Sequence, residues 1–198
     1  MSVFQVRIHG RGGQGVVTAA ELLSVAAFHE GRHAQAFPSF GSERTGAPVV
    51  AFCRISDRPI RAHEPIVSPD ALVIQDATLL HQMDVFSGLR QHGYMLINSS
   101  RSFADLGLEE VVAGLQAARR LTVPATDVAR ETLGRPIANA VLLGGFAALT
   151  GVVSIQAVTT AIRDRFCGSL AEGNVAGAEQ AFAFVQQEMR ELAGAQAD

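Results

Sequence analysis

The chain begins with an alternating, β-branched run, Val3 to Ile8, that breaks into Gly10, Gly12, Gly13 and Gly15 and resumes with helical spacing at Val16. Glycine is needed where a chain turns with positive φ or lets another group approach its backbone. A strand, a glycine turn and a helix start together present unpaired N–H groups and the positive end of a dipole, a natural place for an anion. The spacing Gly10-x-Gly12-x-x-Gly15 also satisfies the dinucleotide fingerprint.

A dinucleotide site needs an acidic residue about 20 positions on, at the end of the second strand, to hold the ribose. That strand is expected near Arg32 to Phe37 and runs into Pro38-Ser39-Phe40-Gly41 with no Asp or Glu at its end. Glu30 precedes it and Glu43 lies beyond the turn. A P-loop requires a lysine, and all 16 basic residues here are arginine. The same absence excludes a lysine Schiff base or lysine general base.

Composition narrows the classes further. At 198 residues the whole chain, 1–198, is expected to form a single domain with a full core. A hydrophobic share of 48% and a mean hydropathy of +0.21 are apolar for a soluble protein of this size, which fits burial against a partner. A net charge of −3 gives no basic footprint for nucleic acid. Cys53 and Cys167 form no CxxC pair, so neither a zinc site nor an iron–sulfur cluster is expected, and two such thiols suit a reducing cytoplasm. No signal peptide and no membrane span are expected. The longest apolar stretch, Ile137 to Ile155, contains three glycines and reads as a core helix plus a turn.

Strands and helices alternate along the chain. Strands are expected at Val3–Ile8, His33–Phe37, Pro48–Ile55, Ala71–Gln75, Tyr94–Asn98 and Leu121–Pro124, with Pro59–Arg61 pairing as a short hairpin across Asp57-Arg58. Helices are expected from Gly15 to His29, closed by Gly31, and from Asp76 to about His92. Four more follow, at Ala129–Leu133, Ala138–Leu149, Ile155–Phe166 and Val175–Leu192. The pattern predicts an α/β, Rossmann-like, three-layer domain with a mostly parallel sheet and a helical C-terminal part.

A second motif follows strand two: Ser39-Phe40-Gly41-Ser42-Glu43-Arg44-Thr45-Gly46. In an open α/β sheet it lies at the same edge as the glycine loop. It carries hydroxyls and Arg44, whose planar fork suits phosphate or carboxylate. By composition alone it is an ordinary turn with a solvated Glu43–Arg44 pair; its placement beside the glycine loop argues for more. Together with Gly10-x-Gly12-Gly13-Gln14-Gly15, it resembles the γ subunit of the 2-oxoacid:acceptor oxidoreductases, the ferredoxin-type enzymes acting on pyruvate and related 2-oxoacids. Asn139-x-x-x-Leu143-Gly144-Gly145 and the segment from Phe166 to Phe182, with Asn174 and Gly177, are similar to that family's C-terminal pattern. Thr45-Gly46-Ala47 departs from it where many relatives carry Arg-Gly-Gly.

The resemblance implies a division of labour. Thiamine pyrophosphate with its magnesium would lie in α/β-type partner subunits and iron–sulfur clusters in a ferredoxin-like one, with this chain inactive alone. The complex would oxidatively decarboxylate a 2-oxoacid to an acyl-CoA. This chain would contribute to the coenzyme A site through Gly10, Gly12, Gly13, Gln14, Gly15, Ser42, Glu43 and Arg44, with Glu43 positioning Arg44. Two alternatives stay open: an independent nucleotide-binding oxidoreductase, disfavoured by the missing ribose acid, and a purely structural assembly subunit.

Other residues read as structural. Of the six histidines only His29 and His33 stand four apart, and Gly31 ends the expected helix between them; no HxH spacing occurs either, so no metal site is expected. His9 borders the glycine loop, where a structural hydrogen bond is preferred over sensing of a ligand charge. Ser99 and Ser100 end a strand and read as a turn or cap. Cys53 falls in an apolar strand as a buried small hydrophobe.

Overall fold

The structure, a computed structural model, describes residues 3–39 and 45–195. Six strands form one sheet: β1 (Phe4–Arg11), β2 (His33–Pro38), β3 (Pro48–Ser56), β4 (Ala71–Ile74), β5 (Tyr94–Asn98) and β6 (Arg120–Val123). Their order is β2-β3-β1-β4-β5-β6. The β1–β4–β5–β6 ladder is parallel; β3 runs against both of its neighbours, β1 and β2. The sheet is therefore mostly parallel in direction, as the alternating pattern predicts.

One face is covered by long helices. These are α1 (Val16–His29), α3 (Ala125–Leu133), α4 (Asn139–Thr150), α5 (Ile155–Arg165) and α6 (Gly168–Gly194). Val6 and Ile8 of β1, Cys53 and Ile55 of β3 and Leu96 of β5 share one core with them. The apolar stripe of α1, including Ala19, Ala20, Leu23 and Ala26, lies inside that core. At Gly144 a Cβ would collide with the backbone of Ala178, so glycine lets α4 and α6 pack backbone to backbone. The opposite face carries a thinner layer. Ile74, Met95 and Ile97 pack there against Leu79, Val85 and the one-turn helix α2 (Glu109–Val112), which the sequence reading does not anticipate.

Two expected elements do not form. Pro59–Arg61 makes no strand pairing, because β3 already has β1 on one edge and β2 on the other. The chain after β3 instead folds over the sheet face, where the buried Arg54 guanidinium donates to the carbonyls of Ala62 and Glu64. The helix expected from Asp76 to His92 shrinks to a 3-10 turn, Ala77–His81, followed by further turns. Arg7, buried on β1, donates to the carbonyls of Val85 at 3.0 Å and Ser87 at 2.5 Å. In a continuous α-helix those oxygens would accept from N–H groups four residues on. A buried guanidinium must be satisfied, and the turns supply its acceptors. The C-terminal helix also starts earlier than its apolar periodicity indicates, at Gly168 instead of Val175.

Candidate functional site

The parallel strands end on one edge, and there β1 and β4 part. The chain leaves β1 through the glycine loop toward α1 and β2, and leaves β4 toward β5 on the other side. Such a switch point is where open α/β sheets bind ligands.

Gly13 (φ 93) and Gly15 (φ 70) take the left-handed backbone that brings the chain from β1 into α1. Gly15 occupies the N-cap position, so no side chain caps the helix, and its positive end opens at the edge. A Cβ on Gly15 would run into the Asn139 amide. At Gly13 and at Gly46, no heavy atom of the described residues lies within 4 Å of where a Cβ would stand. The second motif reaches the same place: Gly12 N donates to Ala47 O at 2.9 Å, Gly46 N donates to Gly12 O at 3.0 Å, and Gly12 bridges Thr45. Ser39 N donates to Val50 O at 2.7 Å on the other flank. Ser42, Glu43 and Arg44 lie outside the described residues; Thr45 and Gly46 place the motif's second end beside the glycine loop, while Ser39 continues the β2–β3 pairing.

Gln14 is engaged at both ends. Its Oε1 accepts from Arg11 N at 2.8 Å, and its Nε2 donates to Asp76 Oδ2 at 2.7 Å. Arg11 joins the same cluster, pairing with Asp76 Oδ2 at 3.2 Å and donating to Thr78 Oγ1, Gln82 Oε1 and Gly46 O. Partial burial alone would raise the Asp76 carboxyl; hydrogen bonds from Thr78 and Gln14, with the Arg11 charge, outweigh it and hold the group below its ordinary value. Gln14 and Arg11 thus tie the glycine loop to the start of the β4 exit.

Amides complete the edge. Asn98 Nδ2 donates to Gln75 O at 2.9 Å and to Thr126 Oγ1 at 2.7 Å, fixing the end of β5 to the start of α3. Asn139 Nδ2 donates to Gly15 O at 3.3 Å. The Gln75 carboxamide is buried beside Gly10, and neither Oε1 nor Nε2 has a protein partner among the described residues. Sequence reasoning did not single out Arg11, Gln75, Asp76 or Asn98. The available signals were a lone arginine between two glycines and polar residues closing apolar strands.

His9 lies deeper. Arg7 Nε donates to its Nε2 at 3.0 Å, which places any proton of the neutral ring on Nδ1. Burial, reinforced by the Arg7 charge, pushes the imidazole down to about 4, so it is neutral at physiological pH. The structural hydrogen bond expected of His9 is present. Ser99 Oγ accepts from Arg101 N at 3.0 Å in a turn. Cys53 is buried and Cys167 exposed, both free, and burial pushes the Cys53 thiol up to about 12. Among the described residues no group of three or more His, Cys, Asp or Glu could hold a metal ion, and no helix is long and apolar enough to cross a membrane.

Comparison with known proteins agrees with this architecture. The family model described as pyruvate ferredoxin/flavodoxin oxidoreductase matches residues 5–184. The gamma subunit common to the pyruvate and ketoisovalerate oxidoreductases of Pyrococcus abyssi is 47% identical over 182 residues, covering 91% of this chain and 96% of that protein. Pyruvate synthase subunit PorC of Methanothermobacter marburgensis is 45% identical over 180 residues, with 91% and 96% covered. The crystal structure of the pyruvate oxidoreductase subunit PORC from Thermotoga maritima superposes with a TM-score of 0.77 at 30% identity, covering 92% of this chain and 97% of that one. The chain belongs to the pyruvate ferredoxin/flavodoxin oxidoreductase family, as a gamma-type subunit of a multi-subunit oxidoreductase.

Proposed function

We propose that residues 1–198 act as one domain in a cytoplasmic, CoA-acylating 2-oxoacid:acceptor oxidoreductase, contributing part of its coenzyme A site. Thiamine pyrophosphate and magnesium belong to α/β-type partners in this reading, and iron–sulfur clusters to a ferredoxin-like partner. Two cysteines, one of them buried in β3, fall short of the four thiolates of a cluster. The chain's own task is to bind and orient.

The observation that carries the coenzyme A reading is the open backbone at Gly13 and Gly46 beside the uncapped amino end of α1. Open space beside the backbone at a positive helix end suits a phosphate. Bound coenzyme A would supply the thiol that accepts the acyl group. Gly10, Gly12, Gly13 and Gly15 would give it close approach to the backbone, and Gln14 would hold the loop's shape through Arg11 and Asp76. Ser42 and Arg44 would meet phosphate oxygens, with Glu43 orienting Arg44.

The test is substrate-specific. Gly13→Val fills the open space at a left-handed position, so the assembled complex should show a raised KM for coenzyme A and little change in KM for the 2-oxoacid. A uniform loss of rate with an unaltered coenzyme A KM would assign the loop a purely structural role.

A further inference from the structure

A second feature adjoins the glycine loop and is not part of it. A groove of about 170 Å³ opens between the amino ends of α1, α4 and α6 and the carboxyl ends of α3 and α5. We propose that it is a subsite for the phosphate-bearing end of coenzyme A's pantetheine arm, an inference that rests on the coenzyme A reading above.

Charge is the first support. Arg135 and Arg165 line the groove, and neither makes a hydrogen bond or ion pair with a described residue; Arg165 only stacks near the Phe166 ring. None of the described lining residues is acidic. Thr18, Asn139 and Leu170 bring in the first turns of α1, α4 and α6; no N-cap residue of these helices makes a side-chain bond, and only the Ala140 N–H of α4 is taken by a side chain, Asn139 Oδ1 at 2.9 Å. Each amino end carries roughly half a positive charge and each carboxyl end roughly half a negative one. Three amino ends and two guanidiniums outweigh the two carboxyl ends, so the groove is a positive well.

The walls define the rest of the ligand. Ile137 and Leu170 are 38% and 45% exposed and line the same groove, where Leu133 and Phe166 continue the apolar wall. An inorganic anion has no use for such a wall; an organic phosphate with an aliphatic arm does. Asn174, only 3% exposed, spends its Nδ2 on Leu170 O, while its Oδ1 accepts nothing from the described residues. It can accept from an amide N–H, and pantetheine carries two amides.

Position links the groove to the first site. Asn139, whose amide holds Gly15 O at 3.3 Å, also lines the groove. At about 170 Å³ the space holds a segment and not a whole cofactor, since complete ligand sites run to roughly 300–1,000 Å³. A ligand lying across the Gly15 turn would use both.

The experiment is equilibrium titration of coenzyme A, 3′-dephospho-coenzyme A and pantetheine into the assembled complex without 2-oxoacid, with Arg135→Ala/Arg165→Ala, its Lys/Lys counterpart and Gly13→Val. The double alanine variant should raise the coenzyme A Kd about tenfold to a hundredfold. The lysine pair should recover part of the affinity, and pantetheine binding should stay unchanged. Equal weakening of coenzyme A and its dephospho form assigns the arginines to the pyrophosphate at the end of the arm; weakening of coenzyme A alone would place them on the ribose 3′-phosphate, away from the arm, and overturns the proposal. An unchanged coenzyme A Kd in an intact double-alanine complex overturns the subsite. If Gly13→Val still weakens binding then, the glycine-loop reading stands; if it does not, both fall. Failure of the double variant to assemble, while single variants bind coenzyme A normally, makes the groove a subunit contact and also overturns the proposal.

Discussion

Gln14 Nε2 donates to Asp76 Oδ2 at 2.7 Å, joining the glycine loop after β1 to the first residue pair after β4. The same carboxylate oxygen meets Arg11 Nε at 3.2 Å, and Asp76 Oδ1 accepts from Thr78 N at 2.9 Å. The loop that opens α1 is therefore held across the switch point by one carboxylate. The backbone conformation at Gly13 and Gly15 makes the turn possible; Gln14, Arg11 and Asp76 select it.

That carboxylate makes loop stability depend on pH. The folded group titrates below its ordinary 3.8, so its contribution is present above the unfolded value and is lost as pH falls below 3.8 through the depressed folded value. Asp76→Asn should cost about 1–2 kcal/mol at pH 7, a charge-assisted bond reduced by partial solvent screening. Urea unfolding at pH 7 and pH 3 checks this. The difference between the two proteins should shrink at the lower pH, and a pH-independent difference would show that shape, not charge, is what Asp76 provides.

The helix layer gives a paired prediction. At Gly144 an added Cβ meets the Ala178 backbone, which no rotamer change can relieve, whereas at Gly145 the nearest atoms are side-chain methyls at 3.4 Å. Overpacking at Gly144→Ala should outweigh the gain in helix propensity and leave a net loss on the order of 1–2 kcal/mol. Gly145→Ala should be neutral or stabilising by up to about 1 kcal/mol. Thermal unfolding of the two variants side by side decides it; equal effects would mean that α4 and α6 are not packed backbone to backbone.

Much of this was legible because the signals are local. The strand Tyr94–Asn98 has its expected bounds, and the helix in the Ile137–Ile155 stretch ends at Gly151 (φ 62). What sequence could not supply came from distant partners. Asp76 to His92 has helical periodicity, but Arg7, some 80 residues away, takes the carbonyls a helix would need. Pro59–Arg61 looks like a hairpin arm only while the strand order is unknown, since β2 fills that edge of β3. At the site, the glycine spacing marked the turn, and the meeting of Thr45 and Gly46 with Gly12 followed from strand two ending at the same edge. Arg11 and Gln75 carried no such mark: their roles depend on β1 and β4 being neighbours.

The composition of the chain leads to a prediction about activity. With free Cys53 and Cys167 as its whole thiol supply, and no metal-ligand group among the described residues, the purified chain should not oxidise a 2-oxoacid. Thiamine pyrophosphate, magnesium and an acceptor dye should not rescue it. Adding the partner subunits should restore turnover. Turnover by the chain alone, surviving rigorous purification, would contradict its assignment as a supporting subunit.

Arg44 offers the sharpest separation of ligand binding from assembly. The described ends flanking its segment are anchored, at Ser39 by Val50 and at Thr45 by Gly12, and Gly46 at the second end donates to Gly12 O. If the guanidinium meets a coenzyme A phosphate, Arg44→Ala removes a charge-assisted contact of about 1.5–3 kcal/mol. That corresponds to roughly a tenfold to hundredfold rise in the KM for coenzyme A. Arg44→Lys should recover less than a full point-charge argument implies, because the ammonium lacks the bidentate fork. The KM for the 2-oxoacid should barely move, since the proposed function assigns decarboxylation to the partner subunits. The assembled variant is therefore titrated with each substrate separately, after its subunit composition has been checked. A coenzyme A KM that stays at the wild-type level in an intact complex removes Arg44 from the site and leaves the glycine loop to bind on its own.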